Sequence, residues 1–310
     1  MRTGRLLKLF WGIMLLSASV IPSGVLAATE NAFDEHMTDH ARAVLVVEAE
    51  HGSVLVAKAP AAVLPIASLT KLMTALVFLD QRPRWNALVG IKGNRLQLQS
   101  RSILHDGDRM SLKDLFTTAL VRSDNAAAQS LATATGLRQE EFVRLMNEKA
   151  ASLELVDTHF VEPTGLAPEN RSTARDLIHI AAVAFRTPAI AEVLKRRSAI
   201  VHVLRAEAGQ NHWKALTVLS TNLIVGKRDN GFQILEGKTG TTDEAGYSFV
   251  VQAETLKNPK QHLLAVILAA SSSLERFSLA LDVLRFGSAK LNGFGDTAAP
   301  ETVLQSASVQ

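Results

Sequence analysis

Residues 65–77, PIASLTKLMTALV, hold Ser68 and Lys71 three positions apart at the start of an apolar segment. The apolar residues that follow recur at helical spacing, which predicts a helix; they are Leu69, Leu72, Met73, Leu76 and Leu79. One helical turn would bring the lysine amine beside the serine hydroxyl. Because serine is also common at helix N-termini, the segment alone fits either a nucleophile with its base or two ordinary polar residues.

The segments around this helix predict an α+β fold. Upstream, residues 41–60 contain two β-rich runs around a turn at His51-Gly52, which indicates a hairpin. From about residue 80 to 200 the pattern is mostly helical. After residue 215 β-rich segments return, among them ALTVLST, and a helix over 274–286 follows. We expect an antiparallel β-sheet flanked by helices, built from the first hairpin and the last strands, with an inserted helical lobe.

The N-terminus has the layout of a secretory signal peptide. Arg2, Arg5 and Lys8 precede a short apolar run, and small residues lead up to Ala27, after which we expect cleavage. No later segment approaches the length of a membrane span, so we expect no membrane anchor in the mature chain. The predicted parts are the signal peptide 1–27, a lead-in 28–41, a domain 42–290 (sheet lobe 42–80 and 215–290, helical lobe 81–214) and a disordered tail 291–310.

Composition excludes several classes of function. Lys and Arg total 33 against 30 Asp and Glu, and the excess lies in the predicted signal peptide, so we expect no nucleic-acid partner. The absence of cysteine excludes thiol catalysis, disulfides and cysteine-bound metals. His36 and His40 are helically spaced but lack an evident third ligand, so we expect no metal and no cofactor. We assign His179 to a helix face and Trp213 to packing.

Two further short motifs complete a set with the opening segment. Ser123-Asp124-Asn125 lies between predicted helices, and Lys238-Thr239-Gly240 lies in the β-rich region. Each is weak singly, and helix capping would explain the first. The order SxxK, SxN, KTG in one chain is the motif set of penicillin-binding proteins and class A β-lactamases.

Serine chemistry explains the SxxK pair. The hydroxyl of Ser68 needs a group that takes its proton during attack, and a neutral lysine can do this. Lys71 would be neutral if it were desolvated, and a second cation nearby, Lys238, would lower its pKa further. The sequence therefore predicts Ser68 as nucleophile and Lys71 as base.

The other motif residues predict how a substrate is held. Ser123 can relay a proton to the leaving group, and Asn125 can hold a substrate amide. Lys238 and Thr239 offer a charge and a hydroxyl to an anionic substrate end. Gly240 allows a substrate backbone to approach the strand edge. For the oxyanion hole we expect two backbone amides, those of Ser68 and Thr241.

The chain resembles the serine D-alanyl-D-alanine carboxypeptidases among the low-molecular-mass penicillin-binding proteins. The likeness covers about residues 40–290 and includes THFVEPTGL at 158–166, STARDL at 172–177 and KTGTTDEAGYSFV at 238–250. It implies a β-lactamase/transpeptidase-like fold, D-Ala-containing stem peptides of peptidoglycan as substrates, and acylation by β-lactam antibiotics.

Within this family the chain is most similar to the penicillin-binding protein 7 branch of soluble D-alanyl-D-alanine endopeptidases. The resemblance also implies a periplasmic location. Arg276 lies about where carboxypeptidases of the family hold the terminal carboxylate, which would favour removal of a terminal D-Ala. Endopeptidase and carboxypeptidase activity both stay open, and the sequence gives no oligomeric state.

Three rival functions follow from the same motifs. Gly237-Lys238-Thr239 spells part of a phosphate loop, but the preceding glycine spacing is wrong and a strand follows. A class A-like β-lactamase shares the three motifs, and Glu162 lies near where its deacylating glutamate would be, although the surrounding EPTGLA differs from E-x-x-L-N. A non-catalytic peptidoglycan-binding protein would keep the cleft without the chemistry.

Overall fold

The computed structural model describes residues 38–91, 102–207 and 209–293. The predicted signal peptide, residues 28–37 of the lead-in and the tail from residue 294 lie outside this part. Its helices are α1 (Thr70–Asp80), α2 (Leu112–Val121), α3 (Asn125–Ala134), α4 (Gln139–Ser152), α5 (Ala174–Arg186), α6 (Pro188–Leu194) and α7 (Ser273–Gly293), with a 3₁₀ turn at Ala67–Leu69. Its strands are β1 (Ala43–Glu48), β2 (Val54–Lys58), β3 (Leu64–Pro65), β4 (Leu88–Gly90), β5 (Arg109–Ser111), β6 (Arg171–Ser172), β7 (Ser198–Glu207), β8 (Gln210–Leu219), β9 (Arg228–Asp229), β10 (Phe232–Thr242), β11 (Gly246–Thr255) and β12 (His262–Ala270).

The predicted antiparallel sheet is confirmed, with the strand order β2-β1-β12-β11-β10-β9. Helices cover both of its faces, so its central strands are apolar on both sides. In β12, Leu264, Val266 and Leu268 pack towards the helical part of the chain, whereas Leu263 and Ile267 pack into the core that contains α7. This double burial explains why HLLAVILAA is a continuous apolar run without alternation.

The opening segment forms the central helix of the molecule. The apolar face predicted for α1 is buried except for Leu79 at its end, which is half-buried. The other sides of the helix are buried as well: Ala75, Val77 and Phe78 are at most 2% exposed. α1 packs against α4, α5 and α3, and a helix that is apolar all round is the kind that proteins bury. Ser68 lies in the 3₁₀ turn immediately before this helix.

A second sheet, in the order β4-β5-β7-β8, lies beside the helices. Placing ALTVLST with the main sheet was wrong, because residues 215–219 end β8 and pair with β7, and Ser220 and Thr221 follow the strand. Residues 198–207 were not predicted as a strand, although Ala199, Val201 and Val203 alternate with exposed positions. Trp213, which we assigned to packing, is 57% exposed on the outer face of this hairpin.

The closing helix is longer than predicted. It was expected to end at Phe286, but α7 continues to Gly293, so the start of the predicted tail is helical. Within this extension Gly287 lies against the sheet, where a Cβ would stand 3.4 Å from Leu55 and Val46. Among the described residues, no single helix is long and apolar enough to cross a membrane; α5 and α6 would be so only together, and a 96° bend separates them.

Candidate active site

Ser68 lies in a tight backbone turn that two glycines enclose. Ala67, just before it, has a positive φ of 46°, which is rare for a residue with a side chain. A Cβ on Gly165 would stand 1.9 Å from the carbonyl oxygen of Ala67, and one on Gly240 would stand 3.2 Å from the amide nitrogen of Ser68. The turn is therefore held between the 165 loop and strand β10, and only glycine permits this approach.

Lys71 reaches the serine hydroxyl from the first turn of α1. Its Nζ donates to Ser68 Oγ at 2.8 Å, to Asn125 Oδ1 at 2.6 Å and to the carbonyl oxygen of Thr164 at 2.5 Å. The side chain is 1% exposed. Burial lowers the pKa of Lys71 to about 7, although the charges of Glu162 and Asp124 act in the opposite direction. In its neutral form this amine has two protons, which Asn125 Oδ1 and the carbonyl oxygen of Thr164 can accept, and its lone pair can then take the proton of Ser68.

Ser123 and Lys238 form a second pair. Lys238 Nζ donates to Ser123 Oγ at 2.6 Å and to the carbonyl oxygen of Thr239 at 2.8 Å. Ser123 has a φ of +63° in the turn between α2 and α3, and Asp124 caps α3 by accepting from the amide of Ala127 at 3.0 Å. Burial holds the pKa of Lys238 well below its usual value, and the nearby charges of Lys71 and Arg276 lower it further.

The last predicted residues lie along β10 and at the start of α7. Thr239 Oγ1 donates to Thr221 Oγ1 at 2.6 Å. Arg276 is 6% exposed, and its Nη1 donates to the hydroxyl of Thr241 at 2.9 Å and to the carbonyl oxygen of Gly240 at 3.2 Å. Its guanidinium also lies 4.7 Å from the ring centroid of Phe277. Burial lowers the pKa of Arg276 to about 10.

A loop that sequence reasoning did not assign to the site supports Lys71. The carboxylate of Glu162 accepts from the amides of Thr164 and Gly165, at 2.6 and 2.5 Å, and from Asn170 Nδ2 at 2.7 Å. Asn170 is fully buried and also donates to Thr70 Oγ1 at 3.3 Å, which ties the loop to α1. These bonds aim the carbonyl of Thr164 at Lys71. The sequence did contain one signal for this loop, the segment EPTGL, which contributes to the family resemblance.

The structure thus brings all the predicted residues to one place between the helices and β10. Ser68, Lys71 and Asn125 share direct hydrogen bonds, and Ser123 and Lys238 form the neighbouring pair. Gly240 abuts the Ser68 amide, one residue before Thr241. His40, by contrast, is an exposed residue paired with Glu275 at 3.4 Å, and His36 lies outside the described residues.

Comparison with known proteins agrees with the serine and lysine chemistry of this site. A family model described as D-alanyl-D-alanine carboxypeptidase matches residues 29–272. A curated relative, the D-alanyl-D-alanine endopeptidase of Pseudomonas aeruginosa, is 32% identical over 78% of this chain and 75% of its own length.

Solved structures share the fold. A DD-transpeptidase of Streptomyces aligns with a TM-score of 0.73 and 25% identity, over 84% of this chain and 100% of that one. Penicillin-binding protein D2 of Listeria monocytogenes, solved in a cefotaxime-bound form, aligns with a TM-score of 0.69 and 26% identity, over 84% and 99%. With the family model covering most of its length, the chain belongs to the D-alanyl-D-alanine carboxypeptidase family of serine hydrolases.

Proposed function

We propose that this protein is a periplasmic serine D,D-peptidase that remodels the cell wall by cutting D-Ala-containing stem peptides of peptidoglycan. The observation that carries the proposal is the bond between Lys71 Nζ and Ser68 Oγ, made by an amine whose pKa lies near 7. Such an amine is unprotonated in a large fraction of molecules at neutral pH, as a general base requires. The predicted signal peptide supports the location.

The contacts support an acyl-enzyme mechanism. Ser68 Oγ attacks the carbonyl carbon of the D-Ala residue while its proton passes to Lys71. The amides of Ser68 and Thr241 stabilise the oxyanion. When the C–N bond breaks, the leaving amine takes a proton from Ser123, and the proton that Lys71 accepted from Ser68 restores the Ser123 hydroxyl, so that Lys238 stays a cation beside the substrate carboxylate. Water then attacks the ester while Lys71 takes one of its protons and returns it to Ser68 Oγ, and the peptide leaves as a carboxylic acid that loses its proton to solvent.

The charges around Lys238 support an anionic substrate end. Lys71 and Arg276 both lower the pKa of Lys238, and among the described residues no carboxylate raises it. A free carboxylate on the residue after the scissile bond would supply the missing negative charge. β-Lactams carry a carboxylate in the corresponding position, and a fold relative was solved with cefotaxime, so we expect covalent acylation of Ser68 by these drugs.

Both cleavage modes fit this site, and we propose the endopeptidase as the principal one. The Pseudomonas aeruginosa and Escherichia coli relatives, 32% and 36% identical, are named D-alanyl-D-alanine endopeptidases. Arg276 supports carboxypeptidase activity as a second reaction, since it contacts Thr241 beside the expected carboxylate position. Its buried Nε finds no hydrogen-bond partner in the described part of the chain.

The contacts of Glu162 argue against a class A-like β-lactamase. Both of its carboxylate oxygens already accept hydrogen bonds from its own loop and from Asn170. A carboxylate held in this way is poorly placed to activate a deacylating water. The assembled pair of Ser68 and Lys71 likewise argues against a purely non-catalytic binding protein.

Two measurements test the proposal. The mature protein should be labelled covalently by a fluorescent penicillin, and Ser68→Ala should abolish labelling, whereas Ser152→Ala, at the exposed end of α4, should not change it. Equal labelling of Ser68→Ala would overturn the assignment of the nucleophile.

The second measurement identifies the reaction. Purified disaccharide-pentapeptide and its cross-linked dimer are incubated separately with the protein, and products are followed by mass. Conversion of dimer to monomers supports the endopeptidase, and release of D-Ala supports the carboxypeptidase. Rapid hydrolysis of penicillin with no peptide product would instead make the protein a β-lactamase.

A further inference from the structure

We propose that Thr221 is a positioning residue that orients the Thr239 hydroxyl towards the carboxylate of the substrate. The inference rests on the proposed function, in which Lys238 and Thr239 hold that carboxylate. Thr221 belongs to none of the three motifs, yet its Oγ1 lies 2.6 Å from Thr239 Oγ1. It therefore adds a second hydroxyl behind the one that meets the substrate.

The backbone around Thr221 is held firmly. Its amide donates to the carbonyl oxygen of Val121 at 3.1 Å, and the amide of Ser220 donates to the carbonyl oxygen of Arg197 at 2.9 Å. Val121 ends α2 and lies two residues before Ser123. The segment that positions the proton relay of the site therefore also positions Thr221.

The turn that follows is pressed against the catalytic strand. Asn222 is 3% exposed, and its Oδ1 accepts from the amide of Ile224 at 3.1 Å. A Cβ on Gly237, the residue before Lys238, would stand 3.1 Å from Asn222 Nδ2. With the turn fixed on both sides, the hydroxyl of Thr221 has little freedom to move away from Thr239.

The direction of the hydrogen bond between the two threonine hydroxyls explains how Thr221 can act on Thr239. Without substrate, Thr239 donates its only proton to Thr221. A carboxylate is an acceptor, so Thr239 must then donate to it instead. Thr221 can rotate its own proton to Thr239, giving two hydrogen bonds in series that end on the anion. Hydrogen bonds in such a chain strengthen one another.

The proposal predicts an effect confined to substrates that carry the carboxylate. Thr221→Val keeps the branched shape and removes the hydroxyl, and Thr221→Ser restores the hydroxyl. Thr217→Val, four residues earlier in β8, is the matched control. Each variant is assayed on a peptide ending in D-Ala-D-Ala and on the same peptide with a C-terminal amide, and with penicillin and its methyl ester.

We expect Thr221→Val to lower kcat/KM on the free acid about tenfold through KM, since hydrogen bonds that serve a charged group are among the stronger ones. Values on the amide and on the ester should stay unchanged. Thr221→Ser should recover most of the loss, and Thr217→Val should behave as wild type.

Two results would overturn the role of Thr221 alone: equal losses on acid and amide, which indicate a structural role, or no loss in an active protein. A wild-type protein that neither cleaves the peptides nor reacts with penicillin would overturn the proposed function, and this proposal with it. The wild-type measurement thus separates the two failures.

Discussion

The site has two halves, one around Ser68 and Lys71 and the other around Ser123 and Lys238. Their buried lysines lie in opposite electrostatic surroundings. In the Lys71 half, the charges of Glu162 and Asp124 raise the pKa of the amine against the effect of burial. In the Lys238 half, the charges of Lys71 and Arg276 add to the effect of burial, and in the described residues no carboxylate opposes them. One lysine has its counter-charges in the protein, whereas the other lacks them.

This difference separates two roles for the same side chain. Lys71 has its pKa held near 7, where an amine can both accept and return a proton within one turnover. Lys238 is destabilised as a cation, and in the proposed function the carboxylate of the substrate would supply its missing counter-charge. The second half would then select ligands by their charge.

Removing the amine of the first half should have the largest effect. We expect Lys71→Ala to slow acylation by penicillin about a thousandfold, the range found for general bases. In the wild type the acylation rate should rise with pH through about 7, because deprotonation of Lys71 generates the base. Stopped-flow acylation across pH measures both. A wild-type rate independent of pH between 5 and 9 would contradict the role of Lys71.

The turn that holds Ser68 should be disrupted by a substitution at Gly165 in the neighbouring loop. Gly165→Ala combines a φ of +86° with a Cβ 1.9 Å from Ala67, so we expect a loss of about 3 kcal/mol of unfolding free energy and slower acylation. Gly136 has a similar φ of +81° but open space around it, and Gly136→Ala should lose only about 1 kcal/mol. Denaturant unfolding measures both. Equal losses would show that φ alone decides and that the clash with Ala67 is relieved.

Glu162→Gln tests whether the carboxylate of Glu162 raises the pKa of Lys71. Because Glu162 raises the pKa of Lys71, its neutralisation should shift the rise in acylation rate to lower pH. Glu169→Gln changes an exposed carboxylate of the same loop and should leave the profile in place. A shift to higher pH would contradict the proposed sign. Glutamine keeps one acceptor oxygen, so the hydrogen bond from the amide of either Thr164 or Gly165 is lost, which should also lower the unfolding midpoint.

The sequence predicted the main sheet and the motif residues because both rest on local patterns. HLLAVILAA is apolar throughout since both of its faces are buried, and the SxxK spacing is a property of one helical turn. Strand β7 was not recognised, and the end of β8 was therefore assigned to the main sheet. The sequence of β7, SAIVHVLRAE, alternates as a half-buried strand should, but its sheet partners β4 and β5 are too short to be recognised from sequence.

Contacts between distant segments could not be predicted in this way. Thr164 offers a backbone carbonyl to Lys71, and any residue type has such a group. Thr221 meets Thr239 only because the turn after β8 packs on Gly237. Arg276 was placed by family likeness, but its bond to Thr241 depends on how α7 packs against the sheet.

The last prediction concerns the Lys238 half of the site. Its expected effect is the smallest, but it tests the difference between the two lysines most directly. If Lys238 lacks a counter-charge until substrate binds, a carboxylate ligand should raise its pKa, and binding should draw protons from solution at a pH between the free and the bound pKa of Lys238, which a series of buffers locates. Titration calorimetry of Ser68→Ala with a D-Ala-D-Ala peptide, in buffers of different ionisation enthalpy, should show uptake of a fraction of a proton. The C-terminal amide of the same peptide should show none. Lys71→Ala should keep the uptake, because its source is Lys238; if the uptake disappears in that variant, the missing counter-charge belongs to Lys71, and the two halves are alike.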